Sequence, residues 1–333
     1  MYGLKTGICA AALLVGGCAT MQAQDRPVLP AKAVSGPITA IGPQGGLAGT
    51  LVAAEPGQPV VLIIPGSGPT DRDGNNPLGV AASSYRLLAE GLAARGIGSV
   101  RIDKRGMFGS AAAVPDANDV TIGDYATDVA TWKTAIRSVT GAECVWLAGH
   151  SEGGLVALAA AQQPGNICGV ILLASMGRPL GTILREQLSA NPANGPLLPD
   201  AMAAITSLEN GERVDVSAMH PALAGLFAPP IQGFLIDAMS RDPAALAAAS
   251  DLPLLIIHGE ADIQVALADA RALHSARPDS KLVILPGVNH LLKTFEGETP
   301  AANLASYSNP DLPISPAVVG AVADFIFSVR AGD

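Results

Sequence analysis

Charge is scarce in this chain. Only 15% of its 333 residues are Asp, Glu, Lys or Arg, against 49% hydrophobic, a balance that fits a packed globule and excludes a disordered chain. The charge present sums to −9 and no basic run occurs, which argues against nucleic acid or an anionic membrane surface as a partner. There is no HExxH, and the four cysteines show no zinc spacing, so no metal site is expected. Beyond the first residues no apolar run reaches the length of a membrane span. No internal repeat is present. Histidine is also rare, five in all, which shortens the search for a general base.

The N-terminus reads as an export signal. Lys5 supplies a positive start and residues 8–15 an apolar stretch too short to span a bilayer. Leu14-Val15-Gly16-Gly17-Cys18 resembles a bacterial lipobox, which predicts a signal peptide over 1–18 and a lipidated Cys18. Ala19 lacks the Asp that would favour inner-membrane retention, so the expectation is a periplasmic protein tethered to the outer membrane. Ordinary cleavage near Ala23 is the alternative. Residues 19–36, with Pro27 and Pro30, read as a tether. Export leaves Cys144 and Cys168 in the body, in an oxidising compartment. Each opens a predicted strand, and those strands are expected to lie side by side. Either a disulfide joins them or both are buried thiols.

From residue 37 onward the chain alternates strand-like and helix-like stretches. Residues 38–41 and 47–53 read as a hairpin. The continuous apolar run at 60–64 reads as a strand buried on both faces, and 97–102, 144–148, 169–174, 254–257 and 282–285 read as further strands. Helical patterns lie between them. Such alternation predicts an α/β fold with a mostly parallel sheet covered by helices on both faces. The rhythm lapses from 176 to 250, a stretch with helix-like segments and several prolines. It predicts a largely helical cap inserted into a core of 37–175 and 251–333.

The run Gly149-His150-Ser151-Glu152-Gly153 follows a strand and opens a helix, as a nucleophile elbow requires. A serine hydroxyl needs a base, and the base needs a carboxylate to fix its tautomer. Past the strand at 254–257 stands Asp262, preferred over Glu260 as the acid; past that at 282–285 stands His290, the expected base. Both lie beyond a strand's C-terminal end, where such sheets place their chemistry. His150 is expected to pack beside the nucleophile. Glu260 and Asp269 are expected to be solvated or capping groups. The oxyanion donors are expected to be the backbone N–H of Glu152 and of Ser67, with Gly68 second, from the loop Pro65-Gly66-Ser67-Gly68-Pro69. Residues 70–76 suggest an internal Asp–Arg pair, and 101–106 a brace beneath the site. Met219, Phe227 and Phe234 of the cap are expected in a substrate pocket.

These motifs resemble the α/β-hydrolase superfamily, and more closely bacterial carboxylesterases of the esterase D-like group. The likeness rests on Pro65 to Asn75, Asp103-Lys104-Arg105-Gly106, Gly149 to Gly154, Gly259-Glu260-Ala261-Asp262 and Gly287-Val288-Asn289-His290. It implies a small-molecule ester of a short acyl chain as substrate and no cofactor. Two rivals remain at this stage. One is a serine aminopeptidase-like peptidase, which would want cap carboxylates facing the site. The other is a non-catalytic, lipid-anchored envelope protein with a hydrolase fold. Oligomeric state is not legible.

Overall fold

The computed structural model describes residues 35–332 except Glu296 and Glu298. The signal sequence over 1–18, Cys18 and all but the last residues of the 19–36 tether lie outside the described residues.

β1 (Ser35–Ile41) and β2 (Gly46–Val52) form an antiparallel hairpin. β3 (Val60–Ile64), β4 (Gly98–Ile102), β5 (Val145–His150), β6 (Ile167–Leu173), β7 (Leu254–Gly259) and β8 (Lys281–Leu285) follow. The eight strands form one sheet in the order β1-β2-β4-β3-β5-β6-β7-β8. β2 meets β4 antiparallel, and every pairing beyond is parallel. The central strands β3, β5 and β6 are largely apolar because both faces are covered, whereas β4 carries Ser99 and Arg101. In β3, Val60, Leu62 and Ile64 join one core while Val61 and Ile63 join the other.

Helices α1 (Ser84–Ala93), α2 (Ile122–Thr140) and α3 (Glu152–Ala161) separate the early strands. α2 starts at a capping box: Thr121 Oγ1 accepts the Asp124 N–H, and the Asp124 carboxylate accepts the Thr121 N–H, both at 3.0 Å. Between β6 and β7 come α4 (Leu180–Ala190), α5 (Leu198–Glu209), α6 (Pro221–Leu226), α7 (Gln232–Met239) and α8 (Pro243–Ala248). α9 (Leu267–Ala276), α10 (Pro300–Ala305) and α11 (Pro316–Gly332) complete the chain. α1 and α11 cover one sheet face; α2, α3, α8 and α9 supply the other core.

The stretch 176–250 is helical, but it does not pack as one unit. α4, α5, α6 and α7 enclose a core of their own around Ile205, Leu208, Leu223 and Phe227. α8 packs instead against α3 and α9 of the body. Residues 221–239 are long and apolar enough to cross a membrane by composition, contrary to the sequence reading. Pro229 and Pro230 break them into α6, a short 3-10 turn and α7, and Leu223, Phe227, Leu235 and Met239 are buried in the insert's core.

Two carboxylates tie this insert down. Asp237 of α7 accepts the first helical N–H of α2, from Ile122, at 2.8 Å. Asp269, expected to be solvated or a cap, is fully buried. It accepts the N–H groups of Gly177 and Arg178 at 3.1 and 3.2 Å and the Arg178 guanidinium at 2.8 Å. At the other end of the sheet Cys144 and Cys168 are joined by a disulfide, with Cα atoms 5.3 Å apart.

Candidate active site

β5 runs straight into Ser151, whose φ of 54° and ψ of −121° are strained for any side-chain-bearing residue. The turn requires glycine on either side of it. A Cβ on Gly149 would stand 2.2 Å from the Gly153 carbonyl oxygen, and one on Gly153 would stand 2.3 Å from that of Ile64. The chain therefore passes too close to itself and to β3 for any larger residue.

His290 follows β8 and Asp262 follows β7, and the structure brings them together. His290 Nδ1 donates to Asp262 Oδ2 at 2.8 Å, which leaves Nε2 as the basic nitrogen. Asp262 Oδ1 accepts the N–H groups of Gln264 and Val265 at 2.8 and 2.9 Å. Burial would push the Asp262 carboxyl up. The His290 charge and hydrogen bond and those two N–H groups outweigh burial and hold it below its ordinary value. Ser151 and His290 line one cavity of about 130 Å³.

Ser67 and Glu152 lie together beside Ser151, on the wall of a second cavity of about 230 Å³. The Glu152 N–H opens α3 and is one of the groups that a helix leaves unpaired. Lys104 connects the two. Its ammonium donates to the Gly66 carbonyl oxygen at 2.7 Å and to Glu152 Oε1 at 3.2 Å, and sits 5.2 Å from the centre of the Tyr125 ring. The Gly66 carbonyl and the Ser67 N–H belong to one planar peptide unit. Holding the carbonyl aims the N–H.

The same peptide segment is fixed from its other side. The Gly66 N–H donates to the Tyr85 hydroxyl at 3.0 Å. That hydroxyl lies 2.8 Å from His150 Nδ1, and His150 Nε2 lies 2.7 Å from the His290 carbonyl oxygen. One proton assignment satisfies the chain: Tyr85 donates to Nδ1, and a neutral His150 donates from Nε2. Burial, then the neighbouring His290, lowers the His150 pKa from 6.5 to about 3. His150 was expected only to pack; it links the nucleophile strand to the base loop and the loop after β3.

The neighbouring charges differ from the sequence reading as well. No Asp–Arg pair closes within 70–76. Arg72 pairs with Asp103 and Arg101 with Asp73, so the loop after β3 is clamped to the end of β4. Arg105 reaches Asp124 at 2.8 Å and Asp128 at 2.6 Å on α2.

A third cavity, about 750 Å³, opens beside Ser67, Lys104 and Glu152 and is lined by Phe108, Tyr125 and Phe234 among others. Of the three cap residues expected in a pocket, only Phe234 lines a cavity here. Phe227 is fully buried in the insert's core and Met219 packs against it, because short helices must cover one another's apolar faces. Lys104 was expected only as part of a brace over 101–106 and His150 only to pack; their partners were not read from the sequence, and Tyr85 escaped it altogether. Tyr85 reaches in from a helix, with no motif around it.

Eight strands in this order, with a strained serine after β5 and an Asp–His couple after β7 and β8, define an α/β hydrolase. The chain belongs to the family described as serine aminopeptidase, S33, which matches residues 78–298. The loop carrying Gly66 and Ser67 lies upstream of that match. Over 248 residues the chain is 26% identical to Esterase EstD of Thermotoga maritima, covering 72% of this chain and 56% of the Thermotoga protein. It thus spans little more than half of that relative. Est1E of Butyrivibrio proteoclasticus shares the fold with a TM-score of 0.55 at 19% identity, covering 89% of this chain and 99% of Est1E. A thermophilic esterase from Thermogutta terrifontis does so with a TM-score of 0.53 at 20% identity, covering 89% and 99%.

Proposed function

We propose that this protein is a serine hydrolase of carboxylic esters. The observation that carries this is the convergence at one cavity of a strained serine and a histidine oriented by a buried carboxylate. In this reading His290 Nε2 takes the Ser151 proton as Oγ attacks the ester carbonyl. The N–H groups of Ser67 and Glu152 receive the oxyanion. The C–O bond to the alcohol breaks, and His290 returns the proton to the leaving oxygen. Water then releases the acid from Ser151 by the same steps. No step calls on a metal or cofactor.

The names of the Thermotoga and Thermogutta proteins favour an ester over a peptide. The surroundings of Ser151 do too. Glu186 pairs with Arg178, Glu209 with Arg185, and Asp215 caps its own turn at Ser217. None of these, nor Asp200 or Glu212, lines the three cavities. Among the described residues Glu152 is the one carboxylate on their walls, and Lys104 neutralises it. A free peptide amino terminus finds no unpaired counter-charge among them.

The acyl preference we propose is short, roughly two to six carbons, in keeping with the confined cavity beside Ser151. A p-nitrophenyl ester chain-length series tests this, with Ser151→Ala as control. The expected result is a maximum within that range and loss of nearly all activity in the alanine variant. Faster cleavage of aminoacyl amides than of esters would decide for the peptidase.

We further propose export and lipid attachment at Cys18, with the outer membrane as destination. The lipobox-like run supports this, and so does a disulfide, a bond that persists in oxidising compartments. Incorporation of labelled palmitate that is lost in Cys18→Ser is the expected outcome. Unlabelled wild-type protein would sink it.

A further inference from the structure

The ester-hydrolase reading, on which this inference rests, fixes which side of Ser151 each half of the substrate occupies. The proton goes from His290 to the leaving oxygen, so the alcohol must lie within hydrogen-bond reach of the His290 ring. The acyl carbon stays on Ser151. Of the two cavities that contain Ser151, only the smaller one, about 130 Å³, has His290 in its wall. The other, about 230 Å³, lacks His290; it shares Ser67 with the first and adds Glu152.

The two chambers differ in chemistry. The His290 chamber is walled by Thr70, Asn76, Ser84 and Gln264. Ser84 Oγ already donates to the Leu291 carbonyl at 2.9 Å, and Thr70 Oγ1 to that of Ser67 at 2.9 Å. The Gln264 amide group donates to the Tyr307 hydroxyl at 3.1 Å. Thr70 Oγ1 also accepts from Asn76 Nδ2 at 3.3 Å; the Ser84 and Gln264 oxygens are left as acceptors, suited to a ligand that brings hydroxyl donors. The other chamber shares Ser67 and Gln264 and also holds Glu152 and Gln187, but most of its lining is apolar, from Leu155, Met176, Leu180, Ile183, Leu184 and Val265.

Leu180 and Leu184 stand one helical turn apart on α4 and line both the apolar chamber and the 750 Å³ groove beyond. Together with Ser67 and Glu152, which also line both, they form the partition between the two spaces. Ser151 lies on the near side only.

We propose that the substrates are esters joining a short apolar acid to a small hydroxylated alcohol. The alcohol occupies the His290 chamber, the acyl group the apolar one, and Leu180 and Leu184 set the acyl length. Longer acyl chains are stopped at that partition, although space for them exists behind it.

Two variants and two substrate series test the assignment. Ethyl and glyceryl butyrate compare alcohols, and ethyl butyrate and ethyl decanoate compare acids, each followed by titration of the acid released. Leu184→Ala is expected to raise kcat/KM for decanoate relative to butyrate by about tenfold or more, and to leave the glyceryl-to-ethyl ratio unchanged. Val80→Phe, which fills the His290 chamber, is expected to lower the glyceryl-to-ethyl ratio and leave the acid ranking unchanged. The wild type should favour the glyceryl ester. The assignment is overturned if Leu184→Ala moves the alcohol ranking, if Val80→Phe moves the acid ranking, if neither ranking moves, or if the wild type prefers the ethyl ester. Circular dichroism and fluorophosphonate labelling of Ser151 confirm that each variant is folded and reactive. Should one misfold, Leu180→Ala and Val80→Leu carry the same expectations. Absence of any ester turnover by wild type would instead remove the parent reading.

Discussion

At the scale of single residues, the candidate triad was easier to find than the groups that hold it. Ser151, Asp262 and His290 sit in short runs with glycine or at strand ends, where spacing alone marks them. Lys104, anticipated only as part of the 101–106 brace, and Tyr85 act across the fold, on the two sides of Gly66, and no local pattern records those partners. Lys104 is also the residue whose removal says most. Lys104→Met is expected to lower kcat by roughly tenfold or more with little change in KM, since an aimed N–H matters most when the oxyanion forms. It also strands the buried Glu152 carboxylate, a separate cost to folding. The double variant Lys104→Met, Glu152→Gln should recover thermal stability without recovering kcat. Recovery of both in steady-state assays would reduce Lys104 to a structural ion-pair partner.

Among the elements, most buried strands were legible because two covered faces favour an apolar run, although β4 is buried throughout while carrying Ser99 and Arg101. Ends were less so: β5 continues to His150 and β7 to Gly259, past the apolar residues that announced them. The insert resisted reading for a different reason. Its helices are short, and whether a six-residue helix such as α8 joins the insert or the body depends on partners far away in sequence. The link between β5 and β6 is a testable element. The disulfide encloses a separation of 24 residues that contains Ser151 and α3. Loop-closure entropy assigns it about 3 kcal/mol. It lies at the start of β5, a strand of six residues, so roughly 20 Å separates it from the strand's far end. Cys144→Ala, Cys168→Ala is expected to lose about that much stability in urea unfolding while kcat stays near wild type. A large fall in kcat at full folding would mean that the two ends of β5 are coupled.

For the whole molecule, alternation of strand and helix was enough to anticipate the architecture, because a parallel sheet leaves few ways to connect its strands. How buried charge balances across the fold was not legible, and acid stability depends on it. His150 titrates near 3 when folded against 6.5 for a free histidine. Between those values the unfolded chain binds a proton that the folded chain refuses, so stability falls as pH falls through that window. The slope is about 1.4 kcal/mol per pH unit. Asp262, held below its ordinary value, acts in the same direction: its contribution is present above the unfolded carboxylate range and is lost as pH drops through the folded one. Melting temperatures recorded from pH 7 to 4 should decline, and His150→Gln should flatten the upper part of that decline. An unchanged slope in His150→Gln would place the acid sensitivity elsewhere.

The disulfide and the serine sit at opposite ends of one strand. If the proposed export and esterase activity hold, a copy stranded in a reducing compartment would still turn over substrate, yet it would open more often and expose itself to proteases. A copy that reached an oxidising one would be locked and persist. Where the protein accumulates would then follow from how long each copy survives, with no need for its chemistry to differ between the two places.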